Sequence, residues 1–390
     1  MKKRKIMTIT AIALIIVIVS GAVIWKMLGI RADGEGTQID TSKWDTENRV
    51  NIVYDTAGVP VPVPKGYTAS SVDGEHTVNT GFVIYEGTES VTDSNKGSAQ
   101  KTRNQWVWVP VTNMSDIYFT DSNGKKHGQL WNFSTTGRTK MSYSEGSGLR
   151  EPDVLTQFDK STYLPKMLTE EEQINLDVEM QAEFERTINS IEKYGGFYIG
   201  RYETGDLSKQ KAKVVKGNED IHSQTWHTMY RKSKEILQNE NGNVKTSMIF
   251  GSLWDHTLNW LVASGNKTYS DMKDSSSWGN YYYSTFQYQN LSGGTVTKNQ
   301  NSSTRIPTGN AEYTKANNIY DMAGNVIDWT LEAGYANIRV SRGGDYYDNG
   351  SSFPASYHYY YGELNYSYHY IRFTCPTLYK VALSPNTDAL

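Results

Sequence analysis

Residues 317–330 read NNIYDMAGNVIDWT, and residues 339–344 read RVSRGG. In the first stretch Asp321 and Asp328 stand seven positions apart, and a Gly-Asn pair between them is typical of a tight turn. Two carboxylates and turn carbonyls on a looped segment suit a hard cation such as calcium. A turn capped by aspartate, with a buried Trp329 beside it, explains the same residues equally well. Both interpretations stay open at this point.

Four shorter motifs lie upstream of this pair of stretches. Residues 106–110 read WVWVP, 197–203 read FYIGRYE, 251–255 read GSLWD and 278–280 read WGN. Together the motifs resemble the sulfatase-modifying factor family, which contains the formylglycine-generating enzyme and has a fold related to that of C-type lectins. The resemblance covers about residues 60–383. It implies an α+β, C-type lectin-like domain with much irregular structure.

The resemblance also implies a set of calcium ligands in the turn. By position, these ligands are the side chains of Asp321 and Asp328 and the backbone carbonyls of Gly324 and Val326. Asp328 stands where the family usually carries glutamate. A structural calcium ion is therefore the expected cofactor.

Catalysis is not expected from this chain. Oxidases of the family bind copper through two cysteines, six and eleven positions after the arginine of RGG, and these positions hold Asp348 and Phe353 here. The sole cysteine, Cys375, cannot supply the pair. None of the seven histidines shows the spacing of a two-histidine, one-carboxylate iron site. The sequence predicts a non-catalytic protein without a catalytic cofactor. A formylglycine-generating or non-haem iron enzyme with an unrecognised active site is the alternative.

Residue patterns predict the secondary structure around the motifs. Residues 80–85, 105–111 and 197–199 have the composition of strands. A capping box and apolar residues at helical spacing predict a helix from residue 170 to 191, and a second helix is predicted over residues 247–262. Helices early in the chain and short strands late indicate an α+β fold.

The N-terminus has the pattern of a membrane anchor. Residues 2–5 are all basic, and the next twenty residues carry no charge, enough to cross a bilayer core about 30 Å thick. We predict a cytoplasmic basic tail, an anchor over residues 6–28, a linker over 29–59 and a short C-terminal tail over 384–390. The basic residues place the N-terminus in the cytoplasm and the remainder outside. A signal peptide cleaved near residues 20–22 is the alternative.

Charge and composition argue against a nucleic-acid-binding protein and against a disordered protein. The formal net charge of −3 combines +6 in residues 1–31 with −9 in the remainder. A domain of that charge has no net attraction for phosphate backbones, so nucleic acid is not an expected partner. Hydrophobic residues make up 37% of the chain, which excludes a disordered protein.

The region after RGG is rich in tyrosine. Nine of the 28 tyrosines lie between Asp345 and Tyr370, and most of the other residues there are Asn, Asp, His or Ser. Changes at the two adenines of an asparagine codon produce these same residue types. The region resembles the variable part of a target protein of a diversity-generating retroelement, a class that uses lectin-like folds and varies a C-terminal surface. We refer to residues 345–374 as the tyrosine-rich segment.

The spacing of these tyrosines predicts a binding surface. Tyrosines at alternate positions from 357 to 361, and again from 366 to 370, would share strand faces. Rows packed inward would leave many buried hydroxyls to satisfy, so we expect them to face solvent. Tyrosine among adaptable polar residues is also the composition of antibody loops. The predicted ligand-binding residues are Tyr346, Tyr347, Asp348, Asn349, Tyr357, His358, Tyr359, Tyr361, Asn365, Tyr366, Tyr368 and Tyr370.

These features together predict a membrane-anchored, cell-surface ligand-binding protein. The expected partner is a protein or glycan on another cell, a phage or a host, because an aromatic platform suits either chemistry. A structural component of the envelope or of a pilus is the remaining alternative.

Overall fold

The computed structural model describes residues 39–142, 151, 170–205, 212–218, 226–236, 242–334, 338–362 and 377–387. The predicted basic tail and anchor, residues 1–28, lie outside these ranges. Within them, no helix combines the length and the apolar character that crossing a bilayer requires.

Five α-helices fall within the described ranges. In chain order they are α1 (Lys96–Thr102), α2 (Glu170–Tyr194), α3 (Trp226–Glu235), α4 (Gly251–Ala263) and α5 (Tyr269–Lys273).

The described strands are short and mostly antiparallel. In chain order they are β1 (Val50–Tyr54), β2 (Pro60–Pro64), β3 (Tyr67–Ala69), β4 (Val83–Glu86), β5 (Gln105–Pro110), β6 (Tyr118–Thr120), β7 (Lys126–Gly128), β8 (Trp131–Phe133), β9 (Arg138–Lys140), β10 (Gly196–Gly200), β11 (Val244–Met248), β12 (Phe286–Gln289), β13 (Thr295–Lys298), β14 (Lys315–Ala316), β15 (Ile319–Tyr320), β16 (Ile327–Ala333), β17 (Ile338–Arg342), β18 (Tyr359–Gly362), β19 (Thr377–Tyr379) and β20 (Val381–Pro385). The predicted α+β class is confirmed, with many small antiparallel sheets and much irregular structure.

The largest sheet has six antiparallel strands in the order β11-β20-β10-β5-β4-β3. Its centre is formed by the predicted strands at residues 105–111 and 197–199, which β5 and β10 confirm. Trp108 lies opposite Tyr198, and their ring centroids are 4.9 Å apart. Both side chains are fully buried, so the centre of this sheet belongs to the core.

A four-stranded sheet in the order β18-β17-β16-β19 connects the motifs to the tyrosine-rich segment. Strand β16 is parallel to β19 and antiparallel to β17, which pairs in turn with β18. In this register Asp328 lies opposite Arg342, and Ser341 lies opposite Tyr359. The first strand of the tyrosine-rich segment is therefore held beside the RGG motif.

Helix α2 confirms the helix predicted over residues 170–191. Met180, Phe184, Ile188 and Ile191 are buried at a spacing of three or four residues, which gives the helix one apolar face against the sheet. The helical spacing also predicts Val178 on that face, and this is wrong, because its side chain is 65% exposed.

The helix predicted over residues 247–262 is only partly correct. Residues 244–248 form β11 at one edge of the large sheet, and Phe250 keeps an extended backbone (φ −72°, ψ 146°) before α4 starts at Gly251. The helical spacing from Trp254 onward is real, and Trp254 and Leu258 are buried in the core. The apolar residues before it belong to a strand because β20 offers them backbone partners.

The domain starts earlier than the sequence predicts. Residues 39–59 were assigned to the linker, yet Trp44 and Val50 are buried, and β1 pairs with the proline-rich strand β2. In β2 the prolines alternate with Val61 and Val63. The backbone N–H groups of the two valines can therefore hydrogen-bond to β1, while the proline nitrogens, which carry no hydrogen, point away from it. At the other end, β20 continues to Pro385, two residues past the predicted boundary.

Candidate recognition surface

The turn between β15 and β16 is held by a buried amide. Asn325 donates to Glu203 Oε2 at 2.8 Å, and its Oδ1 accepts from Asn280 Nδ2 and from the Ile306 N–H, both at 3.0 Å. Gly324 has φ +68°, and a side chain there would overlap the backbone of Asn280. The structure thus brings together the motifs at residues 197–203, 278–280 and 317–330.

The two carboxylates of the predicted calcium site have different surroundings. Asp321 accepts from the Thr308 hydroxyl at 2.8 Å, the Gly309 N–H at 2.9 Å and the Thr314 hydroxyl at 2.7 Å. It therefore caps local backbone and hydroxyl groups, as the alternative interpretation of the turn requires. Trp329 is 4% exposed, which also agrees with that alternative.

Asp328 has the opposite character. Its side chain is fully buried, and neither carboxylate oxygen has a hydrogen-bond partner within the described residues. Burial raises the pKa of Asp328 to about 8, although Lys380 opposes the shift.

The other two predicted calcium ligands, the carbonyls of Gly324 and Val326, belong to buried residues of the same turn. The Gly324 N–H donates to the Gly343 carbonyl at 2.8 Å, and Val326 is buried in the core. Among the described residues, no three acidic, histidine or cysteine side chains converge on a point that could hold a metal ion. Asp328 fits a cation ligand and Asp321 fits a turn cap, so calcium stays a prediction.

Arg342 of the RGG motif is the centre of a buried ion network. Its guanidinium pairs with Asp255 on α4, and its Nε lies 3.0 Å from Glu332 Oε1 on β16. The same guanidinium donates to the Ser356 carbonyl at 3.0 Å. Arg342 therefore connects α4 and β16 to the backbone of the tyrosine-rich segment.

The carboxylate of Glu151, about 100 positions earlier in the chain, caps α4 beside this network. Glu151 accepts from the backbone N–H groups of Gly251 and Ser252 and from the Ser252 hydroxyl. Burial, and then repulsion from Glu332, raises the pKa of Glu151 to about 8. The sequence offered no signal for this contact, because the cap lies about 100 positions from the helix that it serves.

His358, one of the predicted ligand-binding residues, contacts the buried ion network around Arg342. Its Nδ1 lies 2.8 Å from Glu332 Oε2, and the side chain is 11% exposed. Glu332 is fully buried, which opposes its ionisation, but Arg342 and His358 outweigh that effect and lower its pKa.

The first part of the tyrosine-rich segment is fixed through its backbone. Its carbonyl oxygens accept from side-chain or backbone donors of α4 and of residues 275–282. The pairs are Asp348 O with Tyr282 N at 3.0 Å, Gly350 O with Ser275 N at 3.0 Å, Phe353 O with the Tyr281 hydroxyl at 3.0 Å, and Ala355 O with Trp254 Nε1 at 2.9 Å. These bonds set the loop without using the side chains of the segment itself.

Several aromatic side chains of the segment face solvent. The exposed fractions are 43% for Tyr347, 40% for Tyr357 and 43% for Tyr360. Phe353 and Tyr359 are half-buried, and both rings lie within 6.0 Å of the Tyr357 ring. We refer to these five residues as the aromatic surface.

Two members of the aromatic surface, Phe353 and Tyr360, are not among the predicted ligand-binding residues, and Tyr283 lies beside that surface. The alternate spacing from 357 to 361 includes Tyr359 and passes over Tyr360, yet Tyr359 is the more buried of the two. Tyr283, in the loop after WGN, is 57% exposed and stacks edge-on with Tyr282. A backbone bond from Tyr282 to Asp348 places this second tyrosine pair next to the segment.

Three predicted ligand-binding residues shape the loop. Tyr346 is 8% exposed, with its ring 4.4 Å from that of Tyr347, so its expected exposure is wrong. Asp348 is half-buried and accepts from the Asp345 N–H at 3.1 Å. Asn349 is half-buried and caps the Ser351 N–H at 3.0 Å.

The second predicted tyrosine row is not described. Asn365, Tyr366, Tyr368 and Tyr370 lie outside the described residues, and of Tyr361 only the backbone, in β18, is described.

Comparison with known proteins does not assign a family to the chain. No protein-family model matches it, and no curated protein matches it either. The resemblance to the sulfatase-modifying factor family therefore rests on the motifs and stays a prediction.

Proposed function

We propose that this protein is a non-catalytic, membrane-anchored binding protein of the cell surface, and that its tyrosine-rich segment forms the binding surface. The predicted anchor would place the domain outside the cell, with a protein or glycan of another cell, a phage or a host as ligand. The domain would be a C-type lectin-like member of the sulfatase-modifying factor type, with a segment that a diversity-generating retroelement varies.

One observation carries this proposal. The segment from Asp348 to Ala355 is held by hydrogen bonds to its carbonyl oxygens, while Tyr347, Tyr357 and Tyr360 remain exposed. Aromatic residues clustered at a protein surface are typical of recognition sites. A backbone-held loop also permits its exposed side chains to change while the loop keeps its shape. Those two properties are what a variable binding surface requires.

The chemistry at the two copper-ligand positions supports a non-catalytic role. Asp348 is engaged by the backbone of Asp345, and Phe353 belongs to an aromatic cluster with Tyr357 and Tyr359. Neither side chain supplies a thiolate.

A binding experiment with a matched control tests the proposal. The full chain is applied to a glycan array and to a panel of intact bacterial and phage particles, beside a Tyr347→Ser, Tyr357→Ser, Tyr360→Ser triple variant. The control is Tyr54→Ser, because Tyr54 is 62% exposed on β1 and far from the segment in sequence. We expect the triple variant to lose binding by at least tenfold and the control to keep it. Equal binding by all three proteins would refute the proposal.

The DNA beside the gene tests the diversification separately. A near-copy of codons 345–374 next to a reverse-transcriptase gene is expected, with differences concentrated at adenines. A locus without such a copy would leave a fixed binding surface in place of a varied one.

A further inference from the structure

A buried lysine holds the loop that carries Tyr283. Lys298 is 2% exposed, and its ammonium group donates to the carbonyls of Tyr281 at 2.6 Å and of Ser284 at 3.1 Å. A backbone hydrogen bond joins the same loop to the tyrosine-rich segment. Tyr283 is therefore an exposed ring at a fixed place beside the aromatic surface, and it lies outside the segment itself.

Acidic side chains accompany these rings, and basic ones are scarce. The rings belong to residues 274–304 and 343–362, which together contain three aspartates, no arginine and one lysine, the buried Lys298. Of the aspartates, Asp274 is exposed and Asp348 is half-buried. The two stretches therefore present negative charge to a ligand and keep their one cation inside.

Three basic residues flank these stretches. Lys273 ends α5 and is followed directly by Asp274, and Arg305 is half-buried. Arg342 is fully buried and already pairs with Asp255. Of the three, only Lys273 is exposed, and its charge is matched by that of Asp274.

The exposed rings stand at steep angles to their neighbours. The Tyr357 ring makes an angle of 81° with that of Phe353 and of 62° with that of Tyr359. The Tyr283 ring makes an angle of 86° with that of Tyr282. Rings inclined in this way do not form one flat platform on which consecutive sugar rings could stack. A cation, by contrast, needs only the face of a single ring.

We infer that the aromatic surface and Tyr283 bind a basic segment of a partner protein, whose arginine or lysine side chains lie over the tyrosine rings. The inference rests on the proposed function and names the class of its partner. A guanidinium or ammonium group over an aromatic ring gains about 0.5–2 kcal/mol. The chain after residue 31 carries a formal charge of −9, which attracts a basic partner at long range and repels an acidic one.

A series of synthetic probes tests this inference on the full chain. The probes are peptides of equal length built from Gly-Arg, Gly-Lys, Gly-Ser or Gly-Glu repeats, and a neutral oligosaccharide, each titrated to millimolar concentration at about 0.15 M salt. We expect the Gly-Arg peptide to bind most tightly, because a planar guanidinium stacks on a ring better than an ammonium group does. The Gly-Lys peptide should follow, and the other three probes should bind at least tenfold more weakly than Gly-Arg. Failure of both basic peptides to bind, or equal binding of the acidic peptide, the neutral peptide or the oligosaccharide, would overturn the inference.

Two sets of variants separate binding by the rings from attraction by the acidic domain as a whole. Positions 283, 347, 357 and 360 are changed together to serine in one set and to phenylalanine in the other. Neither change alters the charge of the protein, so attraction by net charge stays the same. The serine set should weaken the Gly-Arg peptide at least tenfold, and the phenylalanine set, which keeps the rings, should stay within threefold of the wild type. Equal affinity in both sets would show that the peptide binds by charge alone and would overturn the inference.

A single variant keeps the test valid if the serine set does not fold. Tyr283→Ser changes one ring outside the tyrosine-rich segment and should weaken the Gly-Arg peptide at least twofold, whereas Tyr54→Ser should leave it unchanged. Equal affinity of these two variants would contradict the role of Tyr283. If the glycan array and particle panel respond to the Tyr347→Ser, Tyr357→Ser, Tyr360→Ser variant while the basic peptides do not bind, the recognition surface stands and its basic partner is refuted.

Discussion

Nδ1 of His358 lies 2.8 Å from Oε2 of Glu332, so a histidine of the tyrosine-rich segment is part of the buried ion network around Arg342. The contact divides the segment by position. Residues whose side chains point into the domain hold the loop, and residues whose side chains point to solvent are exposed.

His358→Ala should therefore reduce stability. The substitution removes a partner from the buried Glu332 carboxylate, and we expect a loss of about 1–3 kcal/mol in the free energy of unfolding, measured by urea denaturation. Ser352→Ala, at an exposed position of the same segment, is the control and should lose less than about 0.5 kcal/mol. Equal losses in the two variants would show that His358 has no structural role.

Substitutions inside the segment should separate in the same way. Ala355 is fully buried and Ser352 is exposed, and both lie in the loop whose carbonyl oxygens are bonded to α4 and to residues 275–282. Ala355→Asn should destabilise the protein by about 1–3 kcal/mol, because the larger polar side chain has no room. Ser352→Asn should change stability by less than about 0.5 kcal/mol. Thermal unfolding of the two variants compares them directly, and a tolerant Ala355 would contradict the assignment.

Gly344 should resist substitution because two effects combine there. Its φ is +68°, and a side chain would overlap the Phe353 carbonyl oxygen. Gly344→Ala should cost more than the roughly 1–2 kcal/mol that positive φ alone imposes. Gly124→Ala isolates the conformational effect, since Gly124 has φ +84° and open space around it. If both variants lose the same free energy of unfolding, the close approach of Gly344 to Phe353 is absent in solution.

Asp328 predicts a dependence of stability on pH. Its pKa rises from 3.8 to about 8 on folding, with burial as the main cause, so between these values the folded state binds more protons than the unfolded state. The free energy of unfolding therefore falls as pH rises from about 4 to about 8. Asp328→Asn removes this titration and should gain about 1 kcal/mol or more relative to the wild type between pH 5 and pH 8.

Urea denaturation at the two pH values, in the presence of EDTA, measures this difference. Asp93→Asn is the control, because Asp93 is exposed and ionised throughout the range. A wild-type-minus-variant difference that stays constant with pH for Asp328→Asn would contradict the assigned pKa.

Bound calcium should make the ionised Asp328 side chain stabilising instead of destabilising. If the ion binds at the turn, calcium chloride should raise the melting temperature relative to EDTA, and Asp328→Asn should abolish the rise. Calorimetry that detects no heat, together with an unchanged melting temperature, would remove the calcium site and leave the capped turn.

Local patterns predicted part of the regular structure. The spacing of Phe184, Ile188 and Ile191 identifies the buried face of α2, and alternation around Trp108 identifies the central strand β5. Both signals depend only on residues that are close together in the sequence. The strand at residues 244–248 was missed because its identity depends on pairing with β20, which is remote in sequence.

The candidate site was less accessible to sequence reasoning. Tyr346 and Tyr347 are identical and adjacent, yet one is buried and the other exposed. The contact between Glu332 and His358 spans 26 positions without a pattern that marks either residue. Composition could indicate a recognition surface, but only packing decides which of its residues face outward.

The carbonyl bonds that hold residues 348–355 have a consequence for evolution. If codons in this region are rewritten at random, new residues at exposed positions such as 347 and 351 should leave stability almost unchanged, whereas those at 355, 356 and 358 should lower it. The set of sequences that keep a stable fold is then smaller than the set that such rewriting creates.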